Sequence, residues 1–258
     1  MAEDKIAKTT DMARPDFIPA GDTTGTEHIT KDDVQMPRLA LAQSLTPQVI
    51  ESKEGFAVGV MFNNLTEDIL GRGPIQFTIL RADKPRWIEF IPREQGGGVK
   101  DMDVPANDPR TKFTVDENGK KQKPLADKFY DFIIVMQPPD PTDPYGKLIG
   151  LSFKGTGLKI ARQLNGLIKL RNAPVFAGMY LLTSIMTKNA KGTFAIFQVK
   201  NDGYIKDQPT YELCKALAES LKDKDITISR EGAEHDPDDD PAAGPEEPVE
   251  SNLGGSRM

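Results

Sequence analysis

From Ile75 onward the apolar residues recur at strand period, and the pattern breaks to helical period only twice. IQFTILR (75–81) sets Ile75, Phe77 and Ile79 against Gln76 and Thr78, which is the alternation of a half-buried strand. RWIEFIP (86–92) alternates as well, with Ile88 and Phe90 opposite Trp87 and Glu89. FYDFIIVM (129–136) is the most strand-like segment, and the turn PPDPTDPYG (138–146) separates it from KLIGLSFK (147–154). The period then changes. In GTGLKIARQLNGLIKLRNA (155–173), Ile160, Leu164, Leu167 and Ile168 share one helical face and Lys159, Arg162 and Lys169 another. Two further strands, GMYLLTSIM (178–186) and TFAIFQVK (193–200), are joined by the basic turn TKNAKG, and a helix over 210–222 closes the pattern. The order predicts a mainly β fold with helices. Its form is an OB-fold-like, partly open barrel of five to six strands with an inserted amphipathic helix and a C-terminal helix.

The flanks read differently. Residues 1–33 are polar, with little periodicity, and are predicted to form a flexible arm. The folded domain is predicted over 34–228, opening with VQMPRLALAQ (34–43), where Pro37 excludes a helix interior. A polar excursion over 93–125 is expected to carry its own hairpin at Asn118-Gly119. Residues 229–258, including EHDPDDDPAAGPEEPVE, combine like charge with proline and are predicted to be a disordered tail.

Charge divides the chain more sharply than its net value of -6 suggests. From Glu231 to Met258 the tail holds Glu231, Glu234, Asp236, Asp238, Asp239, Asp240, Glu246, Glu247 and Glu250 against Arg257 alone, a balance of -8. The remaining residues hold 32 basic and 30 acidic groups. Within them, residues 144–201 contain nine Lys and Arg and no Asp or Glu, where about nine acids would be expected at the chain's own frequency. A partner that repels carboxylates accounts for that depletion.

Several chemistries are excluded by what is missing. The two histidines, His28 and His235, lie in the predicted arm and tail, and Cys214 is the single cysteine. No zinc site or Ser-His-Asp arrangement can be assembled from these inside the domain. There is no G-x-x-x-x-G-K-[ST] loop, and no carboxylate pair is singled out by spacing. No enzymatic activity, metal or cofactor is expected. Cys214 on an amphipathic helix is expected to be a buried structural thiol. No apolar run reaches membrane-spanning length and the N-terminus lacks a secretory h-region, so a cytoplasmic protein is expected.

What remains is the pairing of cations with flat side chains that sequence-independent single-strand binding requires. The candidate contacts are Lys84, Arg86, Trp87, Arg93, Phe153, Lys154, Lys159, Arg162, Lys169, Arg171, Tyr180, Lys188 and Lys191. Trp87 reads equally as a stacking platform or as core. Tyr180 shares its strand face with Ser184, which favours exposure, whereas Phe77, Phe132 and Phe197 sit among aliphatic residues and are assigned to the core. Lys154-Gly155-Thr156-Gly157, entering the helix, adds a candidate phosphate contact through backbone N–H groups. The acidic tail would compete for such a groove at an effective concentration of about millimolar.

The segments QMPRLALAQ, FNNLTEDILG, IPREQGGG, LKIARQLNGL and MYLLTSIMTKNAKGTFAIFQV, spread over 34–258, resemble phage single-stranded DNA-binding proteins of the T7 type. The resemblance implies an OB-fold core with a helix between strands, DNA lying across the barrel face, and a tail that contacts replication or recombination proteins. It also implies a role in phage replication or recombination in the host cytoplasm. One departure is plain: the T7-type tail ends in an aromatic residue, whereas this chain ends SNLGGSRM. The competing reading is a non-enzymatic interaction or virion-associated module whose basic face binds an acidic protein. DNA against RNA, and self-association, stay open at this level.

Overall fold

The computed structural model describes residues 35–92, 95–141, 143, 145–189, 192–222, 224, 226–228 and 230, with Gly25 and His28. The predicted arm apart from Gly25 and His28, and the tail apart from Arg230, fall outside these residues. Four short strands lead: β1 (Gln35–Met36), β2 (Leu39–Leu41), β3 (Met61–Asn63) and β4 (Ile69–Gly71), with a one-turn helix α1 (Pro47–Ile50) after β2. Then come β5 (Ile75–Ala82), β6 (Arg86–Phe90) and β7 (Val99–Asp101), a hairpin of β8 (Thr114–Val115) and β9 (Lys121–Gln122), β10 (Ala126–Met136) and β11 (Leu148–Phe153). The helix α2 (Leu158–Leu170) precedes β12 (Gly178–Asn189) and β13 (Gly192–Tyr204), and α3 (Gln208–Leu221) and β14 (Thr227–Ile228) close the order. Among the described residues no helix is long and apolar enough to cross a membrane.

The run FIIV inside β10 is continuous because that strand is buried on both faces. Phe132 and Ile134 point to one side with Phe77 and Ile79 of β5, and α2 covers them with Ala161 and Leu164. Ile133 and Val135 point to the other side with Leu80, under Cys214, Leu217 and Leu221 of α3. Each such side chain contributes about 1.5–3 kcal/mol on burial, so the two helices fix the sheet from opposite sides. The α3 helix starts at a capping residue: the Asp207 carboxylate accepts the N–H of Thr210 at 2.9 Å.

The main sheet runs β13-β12-β5-β10-β6-β7, with β11 also on β10. Both β5 and β6 lie along one edge of β10, because Met136 faces Phe77, Phe132 faces Ala82, Phe129 faces Arg86 and Ala126 faces Glu89. Over that length the β5–β6 line carries two more residues than β10, absorbed at an irregularity beside Ile133–Ile134 and at the Asp83–Pro85 kink. Extra residues on one strand bend it and increase its twist. The result is a curled sheet with five principal strands in the order β11-β10-β5-β12-β13 and the helix between β11 and β12, the OB-like arrangement predicted.

The curl does not close into a barrel. β11 and β13 do not pair; β2 stands between them. Arg38 bridges to Gly150 of β11, while the Gln43 side chain takes the place of a strand against Ala195. Its Nε2 donates to the Ala195 carbonyl at 2.8 Å, and its Oε1 accepts the Ala195 N–H at 3.0 Å. The predicted first ordered stretch is thus two strands, broken at Pro37, with β2 joined to β3 and β4 in a small sheet of its own.

The chain's end is tied to the opposite face. β14 pairs in parallel with β1, and Ile228 sits over Gly150, where a Cβ would stand 2.6 Å from its Cγ2. Beyond it the Arg230 guanidinium reaches the Asp131 carboxylate at 2.6 Å and donates to Ser152 Oγ at 3.0 Å. Asp131 and Arg230 have side chains only 3% and 7% exposed. Burial first, and then the nearby Arg230 charge, lower the pKa of the Arg38 guanidinium to about 10, with Asp131 opposing both. One carboxylate therefore serves two cations in this layer.

Candidate nucleic-acid interface

The basic helix follows directly from the sequence. Successive residues advance by about 100° on an α-helix, so Lys159, Arg162 and Lys169 fall within an arc of about 80° and span about 15 Å of its length. All three are exposed, while Ala161 and Leu164 on the reverse face are buried. None of the three forms an ion pair among the described residues, and α2 itself contains no carboxylate. Lys169 also lies in the last turn, where a cation opposes the helix dipole favourably.

The entry to α2 differs from the expected anion cradle. Gly155–Gly157 form a 3-10 turn in which Gly157 N–H donates to the Lys154 carbonyl and Leu158 N–H to that of Gly155. These two donors are used within the turn and do not face outward as free anion contacts. Lys154 is half-buried, with its Nζ 6.0 Å from the centre of the Phe90 ring.

Trp87 is half-buried, and the β6–β10 register sets it opposite Lys128. The Lys128 ammonium lies 5.7 Å from the Trp87 ring and 5.2 Å from the Tyr130 ring, inside the range of cation–π attraction. Arg86 is half-buried opposite Phe129, and Lys84 is exposed at the kink before it. Glu89, on the same strand, is not the exposed neighbour its pattern suggests. It is buried beneath Lys100 at 2.6 Å and Arg110 at 2.7 Å, and their hydrogen bonds, Lys100 first, hold its carboxyl below the usual range.

Three of the predicted contacts are corrected. Tyr180 is fully buried, its ring 5.5 Å from that of Phe77, because this face of β12 joins the core packed with Ala161 and Leu164 of α2. Burial also pushes the pKa of its phenol above the ordinary tyrosine value. Phe153 is 1% exposed and packs edge-on to Phe132 and Phe197. No base can stack on either ring. Arg171 is engaged within the fold: its guanidinium lies 4.4 Å from the Tyr180 ring and 5.1 Å from that of Tyr204, and it donates to the Met179 carbonyl and to Asn201. Gly178 makes room for it, since a Cβ there would overlap the guanidinium.

Lys188 is exposed near the tip of the β12–β13 hairpin. Arg93, Lys191 and the acidic tail residues lie outside the described residues. The side chains missed from sequence are Lys128, Tyr130 and Phe90. Lys128 and Tyr130 are alternate residues of ADKFYDF, one strand step from the predicted start of β10, and only the pairing register brings them to Trp87.

No curated protein and no solved structure matches the chain. Residues 7–227, which take in the curled sheet, α2 and α3, match a family described as Pam3 phage gp34-like protein. A match over that share of the sequence places it among phage proteins, and the chain belongs to the Pam3 phage gp34-like family.

Proposed function

We propose that the chain is a non-enzymatic phage protein that binds single-stranded DNA without choosing sequence, in replication or recombination. The observation that carries this reading is the exposed cationic arc of α2, set in a segment with no carboxylate. Phosphates pair with Lys159, Arg162 and Lys169, and bases stack on Trp87 and Tyr130, with Lys128 between them. RNA of the same single-stranded form offers similar chemistry and is the comparison ligand. The tail, starting next to Arg230, acts as a tethered competitor and, when displaced, as the contact for replication or recombination proteins in the host cytoplasm.

Trp87 is the only tryptophan, so its fluorescence reports on the proposed site. Titration with oligothymidine is expected to quench the indole at low salt and to lose that quench at high salt, because bound cations release counterions. An unchanged emission together with no mobility shift would overturn the reading.

A further inference from the structure

The hairpin formed by β8 and β9 belongs to neither side of the sheet, yet it carries apolar and cationic side chains together. Phe113 is 48% exposed, Val115 68% and Leu125 69%. Two strands alone are marginal in water, and among the described residues β8 and β9 pair only with each other. The Lys121 ammonium sits 4.3 Å from the centre of the Phe113 ring, reaching across the ladder that pairs Thr114 with Gln122. Lys112, Lys120, Lys121 and Lys123 outnumber Asp116 and Glu117. Asp116 is turned inward, accepting the N–H groups of Asn118 at 3.0 Å and Lys120 at 2.8 Å. The outward charge is therefore positive.

The mounting of this finger is firm. Arg110, just before it, is held by Glu89, Asp101 and Asp108 at 2.7, 3.0 and 2.9 Å. Val104 N–H donates to the Trp87 carbonyl at 2.8 Å, which ties the excursion to the strand that carries the tryptophan. After Lys123 the chain passes into β10, and Lys128 follows within about 18 Å of extended backbone. The finger projects from the end of the sheet where Trp87 and Lys128 lie.

We infer that this hairpin is a second nucleic-acid contact, in which Phe113 stacks a base and the four lysines pair with phosphates beyond the Trp87 site. The inference rests on the single-strand-binding reading and lengthens its track. Charge complementarity selects the occupant: an exposed ring framed by ammonium groups fits a polyanion with flat bases.

The test uses the full chain with oligothymidine of about 8 and about 16 nucleotides, the range one such fold covers. Phe113→Ala is expected to weaken the longer oligonucleotide by about 5- to 150-fold, the worth of one stacked base, without altering the salt slope. Phe113→Tyr should restore binding, and replacing the four lysines by Gln should flatten the slope by about 0.7 for each lost contact. If the parent chain binds with salt dependence while Phe113→Ala and the lysine variant match it at both lengths, the hairpin inference falls and the underlying reading survives. If the parent binds neither length, both fall. A loss in Phe113→Ala that coincides with a lowered Tm and is not restored by Phe113→Tyr also overturns the inference.

Discussion

Replacing Lys159, Arg162 and Lys169 together by Gln is the perturbation that most directly questions the proposed interface. The three side chains are exposed and outside any ion pair among the described residues, so the fold should lose within about 0.5 kcal/mol. Their effect on binding comes from counterions. Each phosphate contact on a single strand contributes about 0.7 to the slope of log affinity against log salt, so the variant should have a slope shallower by about 2.1. Between 50 and 200 mM salt, that difference means the parent loses about twentyfold more affinity than the variant does. The assay is fluorescence anisotropy of a labelled oligothymidine across that salt range, with thermal melts as the control on folding. Salt also weakens competition by the acidic tail and so would flatten the slope by itself. The comparison therefore belongs in a chain ending at Arg230 as well as in the full one. A slope change smaller than about 0.7, one contact's worth, would refute the placement of α2 against phosphates.

Two further outcomes concern the frame that holds the interface. Asp131→Ala leaves Arg38 and Arg230 buried beside each other without their shared carboxylate, and should cost about 3–5 kcal/mol in urea unfolding. A loss below about 1 kcal/mol would mean that the β14 region opens locally and the charges rehydrate. Glu89 has its carboxyl held below the ordinary range by Lys100 and Arg110, so its stabilising contribution is present above its unfolded value of about 4.3 and fades as pH falls through the lower folded value. The gap in urea midpoint between the parent and Glu89→Gln should accordingly be open at neutral pH and close on acidification. A gap that persists unchanged in acid would exclude the ion network as its source.

The sequence made some of this legible and not the rest, for physical reasons. Strand and helix periods are local, so IQFTILR, RWIEF and LKIARQLNGL appear where their alternation placed them. Alternation tells which residues share a face, not which face is inward. Tyr180 and Ser184 do share one, but that face meets Phe77 in the core packed with α2, whose residues arrive from elsewhere in the chain. Phe153 stands near the end of KLIGLSFK with no local partner, while its neighbours Phe132 and Phe197 arrive from distant segments. Arg171 looks like a free cation in the sequence because the tyrosines that hold it cannot be identified before the strands pair. The same non-local register hid Lys128 and Tyr130 beside Trp87. Asp131 and Arg230 meet across 99 positions, a contact with no local signature.

That contact has a consequence for how the chain is divided. Arg230 is clamped to β10 of the sheet, so the peptide beyond it begins from a fixed point. For the acidic competitor proposed above, length and composition past that point set what is tethered beside the sheet, and how densely. Exchanging the tails of two such proteins at the residue after Arg230 should therefore transfer tail behaviour alone. A cut a few residues earlier would instead remove the clamp and let Ile228 leave its seat over Gly150.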